Sequence, residues 1–290
     1  MTHLAPGTNC VLTLSCPEAI GIVHEVSGYI LYHRCTVVES QQFSDIDTDT
    51  FFMRVQFADA SGAPLSLEDL RRDFEPIAAR YGMSWSMVDA SERRRVVIMV
   101  SKEGHCLNDL LFRNATGELN LDIIAIVSNH PDFERLASGY DIPFRLIPVT
   151  RETKPQAEDA LLTLIDAERV DLVVMARYMQ ILSAELCERM AGKIINIHHS
   201  MLPSFKGAKP YHQAHARGVK LIGATAHYAT ADLDEGPIIE QVHERVDHAM
   251  SADDFAVHGR QVEARALARA VRLHTENRVV LNGTRTVVLT

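Results

Sequence analysis

Two rhythms of apolar residues succeed one another along this chain. Between residues 10 and 90, short alternating runs are interrupted by helical spacings and read strand, helix, strand, strand, helix, strand. Residues 10–15 form the first strand. The spacing of Ile20, Val23, Val26, Ile30 and Leu31 predicts a helix from Pro17 to about Tyr32. Residues 36–43 and 51–57 predict an antiparallel pair around a polar loop that contains Asp45, Asp47 and Asp49. A second helix covers 67–81 and a strand over 83–88 closes the sheet, the ferredoxin-like split pattern.

From residue 96 onward the pattern changes to strands alternating with helices. Strands are predicted at 96–100, 121–127, 144–147, 172–175 and 194–198, with helical periodicity such as 157–168 between them. That alternation implies an α/β domain with a doubly wound, mostly parallel sheet. A long helix at 253–273 and a final segment at 278–289 complete it. The charged stretch Glu92-Arg93-Arg94-Arg95 reads as a solvated connector, with the linker at about 88–94. The expected domains are therefore 1–90 and 91–290.

Composition narrows the possibilities. A chain of 290 residues holds two ordinary domains, each with its own core. Hydrophobic residues make up 47%, yet no charge-free apolar run approaches the roughly 18 residues that span a bilayer. No basic segment followed by a long apolar one opens the chain, so a cytoplasmic protein without membrane association is expected. The five cysteines are scattered and include no C-x-x-C pair, which fits reduced, buried thiols better than a disulfide framework or a zinc site. A net charge of −9 disfavours nucleic acid as a partner. An anionic small molecule is compatible with local basic residues at Lys102, Arg177, Lys206 and Lys209. Neither a dinucleotide fingerprint nor a P-loop occurs.

The candidate chemistry lies near residue 200. Asn196 and His198 are two apart in the run 194–198, so on a strand both side chains leave one face. Ligands of doubly wound sheets sit beyond the carboxyl ends of the strands, and these residues fall at such an end. A second apolar segment, 220–229, reaches Asp234 through a short polar loop. An amide donor, a proton-transferring imidazole and a carboxylate are what acyl transfer to water or an amine requires.

The ordered segments Asn196-Ile197-His198-His199-Ser200-Met201-Leu202-Pro203, Gly223-Ala224-Thr225-Ala226-His227 and Asp234-Glu235-Gly236-Pro237-Ile238-Ile239 resemble the formyltransferase family that uses 10-formyltetrahydrofolate. Supporting segments are Ser101 to Leu107, Ser128 to Pro131, Ala176 to Ser183 and Pro210 to Ala214. The first strand-to-helix loop, with Lys102, Glu103 and a single Gly104, lacks the several glycines that hold an acceptor's phosphate in the amine-accepting branch. It is similar to the branch that passes the formyl group to water. The resemblance implies release of formate and tetrahydrofolate, feeding one-carbon pools and purine biosynthesis. The competing readings are formyl transfer to glycinamide ribonucleotide or methionyl-tRNA, and an inert folate- or amino-acid-responsive binding protein.

The resemblance also implies roles. Asp234 orients a water and is a candidate to take its proton, while His198 and Asn196 donate to the developing oxyanion. Arg177, Tyr178, Met179, Gln180, Ile181 and Leu182, with Leu233, Glu235 and Gly236, belong to the segments around the folate; His227, His199 and Lys102 support the site. No metal and no cofactor beyond the folate substrate is implied. His105, His212, His215 and His243 read as incidental. Residues 1–90, with Cys16-Pro17-Glu18 and Gly21-Ile22-Val23, resemble an ACT domain, a regulatory module that pairs and binds amino acids. A homo-oligomer, as a tetramer of paired dimers, is expected. The turn Arg34-Cys35-Thr36-Val37 lacks the family's glycine, so a weak or absent response to glycine is expected.

Overall fold

A computed structural model describes residues 9–203 and 210–290. In chain order the elements are β1 (Asn9–Pro17), α1 (Ile22–Tyr32), β2 (Cys35–Asp45), β3 (Thr50–Asp59), α2 (Leu67–Tyr81), β4 (Ser84–Asp89), β5 (Arg94–Val100), α3 (His105–Ala115), β6 (Leu121–Ser128), α4 (Glu134–Ser138), β7 (Phe144–Leu146), α5 (Lys154–Ala167), β8 (Leu172–Met175), α6 (Ala184–Arg189), β9 (Ile194–His198), α7 (Pro210–Ala216), β10 (Leu221–Tyr228), β11 (Ile238–Arg245), α8 (Ala252–Thr275), β12 (Val279–Asn282) and β13 (Arg285–Val288).

These elements form two compact units. The first comprises residues 9–92 with Glu276–Asn282 and Val287–Thr290, and the second Arg93–Thr275 with Gly283–Thr286. The C-terminal segments 276–282 and 287–290, grouped by the sequence reading with the second domain, thus lie in the first unit. Arg278 holds them there by donating from Nη1 and Nη2 to the two Glu39 carboxylate oxygens on β2 (3.0 and 2.8 Å).

In the first unit a four-stranded antiparallel sheet has the order β2-β3-β1-β4. Leu70, Phe74 and Ala78, four apart, put one face of α2 against it, and Val26 and Ile30 do the same for α1. Ser66 caps α2 by accepting from the Asp69 N–H (3.3 Å), and Gly82 ends it in the left-handed conformation. The first helix begins five residues later than its apolar spacing predicts. The pairing of β1 with β3 runs on to Pro17, Gly21 takes φ 98, and Ile20 is fully exposed, so residues 17–21 are not helical. Arg34 adopts φ 56, the left-handed conformation that glycine would take more easily.

The second unit is built on a seven-stranded sheet of order β11-β10-β9-β8-β5-β6-β7. The five predicted strands β9, β8, β5, β6 and β7 are parallel. Val96–Val100 is buried on both faces, as continuous apolar strands of parallel sheets are. β10 and β11 add an antiparallel edge, and β11 is a strand that the sequence reading did not predict. Helix α8, 24 residues long, packs against β9, β10 and β11 and against α3 and α7. No helix among the described residues is long and apolar enough to cross a membrane. All five cysteines are buried and free.

Candidate active site

Because β5, β8 and β9 run parallel, their carboxyl ends deliver Ser101, Arg177 and His198 to one edge of the sheet. The antiparallel partner β10 sets His227 opposite Asn196 and Thr225 opposite His198. Sequence spacing puts Asn196 and His198 on one face, and this register adds the third strand's histidine beside them.

Asp234 closes the group from the loop between β10 and β11. Its Oδ2 lies 3.1 Å from His198 Nδ1, and its Oδ1 lies 3.7 Å from His227 Nε2. His198 and then His227 hold the Asp234 carboxyl well below the usual carboxylate range, against the opposing effect of burial. The aspartate sits at φ 58, a conformation aspartate and asparagine tolerate better than most residues. Gly236, two residues on, is buried under the Tyr228 carbonyl, and a Cβ there would overlap that oxygen. The loop between these two strands leaves no room for a side chain at this position. Leu233 and Glu235 point outward and are exposed.

His227 is only 2% exposed. Its Nδ1 lies 2.9 Å from the Tyr228 carbonyl, which can only accept, so Nδ1 carries a proton. Its Nε2 lies 3.2 Å from Asn196 Nδ2. That leaves the second N–H of the Asn196 amide for another acceptor. His198 Nε2 and His199 Nδ1 are both buried without a hydrogen-bond partner among the described residues. The two rings meet edge to face at 4.8 Å. Burial, Arg177 and His198 push the His199 imidazole down to about 4, so it is neutral at physiological pH.

Other predicted residues are arranged differently. Met179 N–H donates to Ser101 Oγ (3.0 Å), which in turn donates to Asn129 Oδ1 (2.7 Å), and this fixes the segment after β8. Tyr178 and Leu182 are buried in the core beneath it, whereas Met179 and Ile181 are exposed and Gln180 is half-buried. Lys102 is exposed and has no ion pair among the described residues; Lys206 and Lys209 lie outside them. Arg177, at φ 65, turns its side chain to Glu263 on α8 (Nε to Oε2 3.3 Å), close enough for an ion pair but not aligned for a hydrogen bond.

Sequence reasoning missed three groups here. Glu263 is 1% exposed and also meets His105 Nε2 (2.8 Å) and the Tyr211 hydroxyl (2.7 Å). Thr225 Oγ1 clamps the loop after β9, donating to the Ser200 carbonyl (2.9 Å) and accepting from Leu202 N–H (3.0 Å). Ser101 is the third. Thr225 and Ser101 lie inside segments that carried the resemblance, which was the available signal. Glu263 sits in an ordinary helical pattern and gave none.

Residues 94–271 match the formyl transferase family. The chain is 53% identical over 279 residues to formyltetrahydrofolate deformylase of Corynebacterium sp. (strain P-1), covering 96% of this chain and 97% of that protein. The crystal structure of formyltetrahydrofolate deformylase from Burkholderia mallei superposes with a TM-score of 0.93 at 55% identity, over 98% of this chain and 100% of that one. Glycinamide ribonucleotide transformylase 1 from Symbiobacterium toebii matches 68% of this chain and 95% of its own, at 30% identity and a TM-score of 0.63. The amine-accepting relative therefore resembles only part of the chain, while the deformylases match nearly all of it. This chain belongs to the formyl transferase family and, within it, to the formyltetrahydrofolate deformylases.

Proposed function

We propose that this protein hydrolyses 10-formyltetrahydrofolate to formate and tetrahydrofolate, with Asn196, His198 and Asp234 as its catalytic residues. The observation that carries the reading is the Asp234–His198 pair, 3.1 Å apart, with the other imidazole nitrogen buried and unpartnered. Near-full-length identity to relatives named for this activity supports it.

The electrostatics shift one role from the sequence-based expectation. A carboxylate held this far below its usual range is a weak base, so Asp234 is better suited to orienting His198 than to taking the water's proton itself. With Nδ1–H directed at Asp234, His198 Nε2 accepts the proton of the attacking water. The imidazolium, stabilised by Asp234, returns it to N10 as the C–N bond breaks. The remaining Asn196 N–H donates to the formyl oxygen as it gains charge, an interaction typically worth about 3 kcal/mol of barrier. His227 keeps the amide facing that way.

The folate is bound along the segment after β8 and the loop carrying Asp234. Buried free thiols fit a reducing compartment, and we place the reaction in the cytoplasm. The first unit assembles the chain into a homo-oligomer. Its sheet ends in two edge strands, β2 and β4, and Val37, Val38 and Phe43 on β2 expose apolar surface. The deciding assay incubates the pure protein with 10-formyltetrahydrofolate and no acceptor. Stoichiometric formate and tetrahydrofolate are expected; turnover only when glycinamide ribonucleotide or methionyl-tRNA is added would replace hydrolysis with transfer.

A further inference from the structure

His198 is the last residue of β9, and the ladder between β9 and β10 ends with it, at the Thr225–His198 pair. Backbone pairing therefore stops where the proposed base has to be held still. Strand β10 presents Gly223, Thr225 and His227 on one face, at alternate positions. Thr225 is paired with His198 and His227 with Asn196, so these side chains leave the sheet on the same side. Each of the three meets the chain around His198. A Cβ on Gly223 would lie 2.5 Å from Met201 Sδ, so the missing side chain is the room that Met201 fills. His227 stands beside Asn196 and Asp234. Thr225, with no exposed surface, lies between Gly223 and His227 and reaches the two residues that flank Met201.

The hydrogen bonds of Thr225 form a closed set. Its Oγ1 donates to the Ser200 carbonyl (2.9 Å), which can only accept. It accepts from the Leu202 N–H (3.0 Å) and from Gln241 Nε2 (3.0 Å), so the hydroxyl's proton and both lone pairs are engaged. Gln241 lies opposite Thr225 on β11, and its Nε2 also donates to the Leu202 carbonyl (3.2 Å). Both N–H bonds of that amide are used, and the N–H and C=O of Leu202 are both held by side chains of the hairpin. A buried polar network satisfied in this way is stiff, because any rearrangement leaves a group unpaired.

We propose, on the hydrolysis reading, that Thr225 and Gln241 are positioning residues: through the backbone of Ser200 and Leu202 they fix the His198 imidazole against Asp234. Thr225 holds the base twice, pairing with it as a strand neighbour and binding the chain that follows it through the hydroxyl. Asp234 comes from the loop that joins β10 to β11, and Thr225 and Gln241 lie on those same two strands. One hairpin therefore carries the carboxylate at its tip and grips the chain after the base along its length. Carboxylate and imidazole are referenced to a single rigid element, and a shift between them of about 1 Å is enough to cost on the order of 10²-fold in rate.

The test compares two variants of the full-length protein: Thr225→Val, which removes the hydroxyl at nearly constant volume, and Thr225→Ser, which keeps it. Thr225→Val should lower kcat for formate release at least about tenfold with KM changed less than about twofold, and Thr225→Ser should recover most of that loss. Gln241→Met should give a smaller loss of the same kind, and the double variant less than the two combined, because both residues act on one clamp. Protein labelled with ¹⁵N-histidine reads the positioning directly. The His198 ring signals, assigned with His198→Gln, should move in Thr225→Val while circular dichroism stays unchanged. If Thr225→Val does not fold, the half-buried Gln241→Met carries both readouts. Loss confined to thermal stability or to KM, unmoved His198 signals, or failure of Thr225→Ser to recover kcat overturns the proposal and leaves hydrolysis standing. Wild-type protein that releases no formate overturns the hydrolysis reading instead, and the ring signals then still decide whether Thr225 positions His198.

Discussion

Asp234 illustrates how one residue is set by backbone and charge together. Its left-handed φ of 58 restricts the choice of replacement, and asparagine tolerates that region as aspartate does. Asp234→Asn thus removes the charge with little backbone cost. Turnover should fall about 10²–10⁴-fold, while folate affinity measured by calorimetry changes little. A variant with near-normal kcat would remove the carboxylate from the mechanism. His274 offers a residue-level test of stability. It accepts the Tyr228 O–H at Nδ1 (2.7 Å), and burial, with Arg94 and Lys193, pushes it down to about 4. Its folded value lies below its unfolded one, so the unfolded chain binds the extra proton. Stability is therefore complete above about pH 6.5 and is lost as pH falls towards 4, by on the order of 3 kcal/mol for a fall from 6.5 to about 4. His274→Gln should flatten the decline of Tm across that window; an unchanged slope would assign the decline to other groups.

At the scale of elements, the β10–β11 hairpin does most to assemble the site, because its loop carries Asp234 and its first strand carries His227. Gly236→Ala forces that loop away from the Tyr228 carbonyl. A displacement of about 1 Å can cost on the order of 10²-fold in rate. The expected result is a large loss of kcat with far-UV circular dichroism retained; wild-type kcat would mean that the hairpin can yield without moving Asp234. Elements with strong periodicity were legible in the sequence. Helix α2 is bounded by Leu67 and Tyr81 as its apolar spacing predicts, because Ser66 and Gly82 cap it locally. The start of α1 was not legible, since strand pairing to Pro17 overrides a helical spacing that includes Ile20. β11 also escaped, because His243, Glu244 and Arg245 at its outer end read as a polar segment until β10 pairs with it.

For the molecule as a whole, the first unit's exposed apolar positions bear on assembly. Leu31, Tyr32 and Ile46 join Val37, Val38 and Phe43 as large hydrophobic side chains left in solvent. Light scattering at micromolar concentration should report a homo-oligomer, with a tetramer of paired dimers expected; a monodisperse monomer would count against pairing through this unit. The same unit should respond weakly or not at all to glycine. Arg34 keeps the turn in the left-handed conformation but fills it with a side chain where close backbone approach calls for glycine. A several-fold change in deformylase rate with millimolar glycine would overturn that expectation.

The sequence by itself determined the two-rhythm organisation, the parallel strands and the placing of Asn196 and His198 on one face. These depend on periods of 2 and 3.6 residues and on local capping, which neighbouring residues encode. The order of motifs was enough to mark out Asp234. Only the tertiary structure decided which side chains meet. The antiparallel register of β10 brings His227 to Asn196, 31 residues away. The contacts with His198 and His227 set the Asp234 carboxyl well below the usual carboxylate range, the observation behind the base role proposed for His198. The folding of α8 over α3 carries Glu263 to His105 across 158 residues. Such contacts depend on how elements stack, and stacking is a property of the packed chain that no local window of sequence contains.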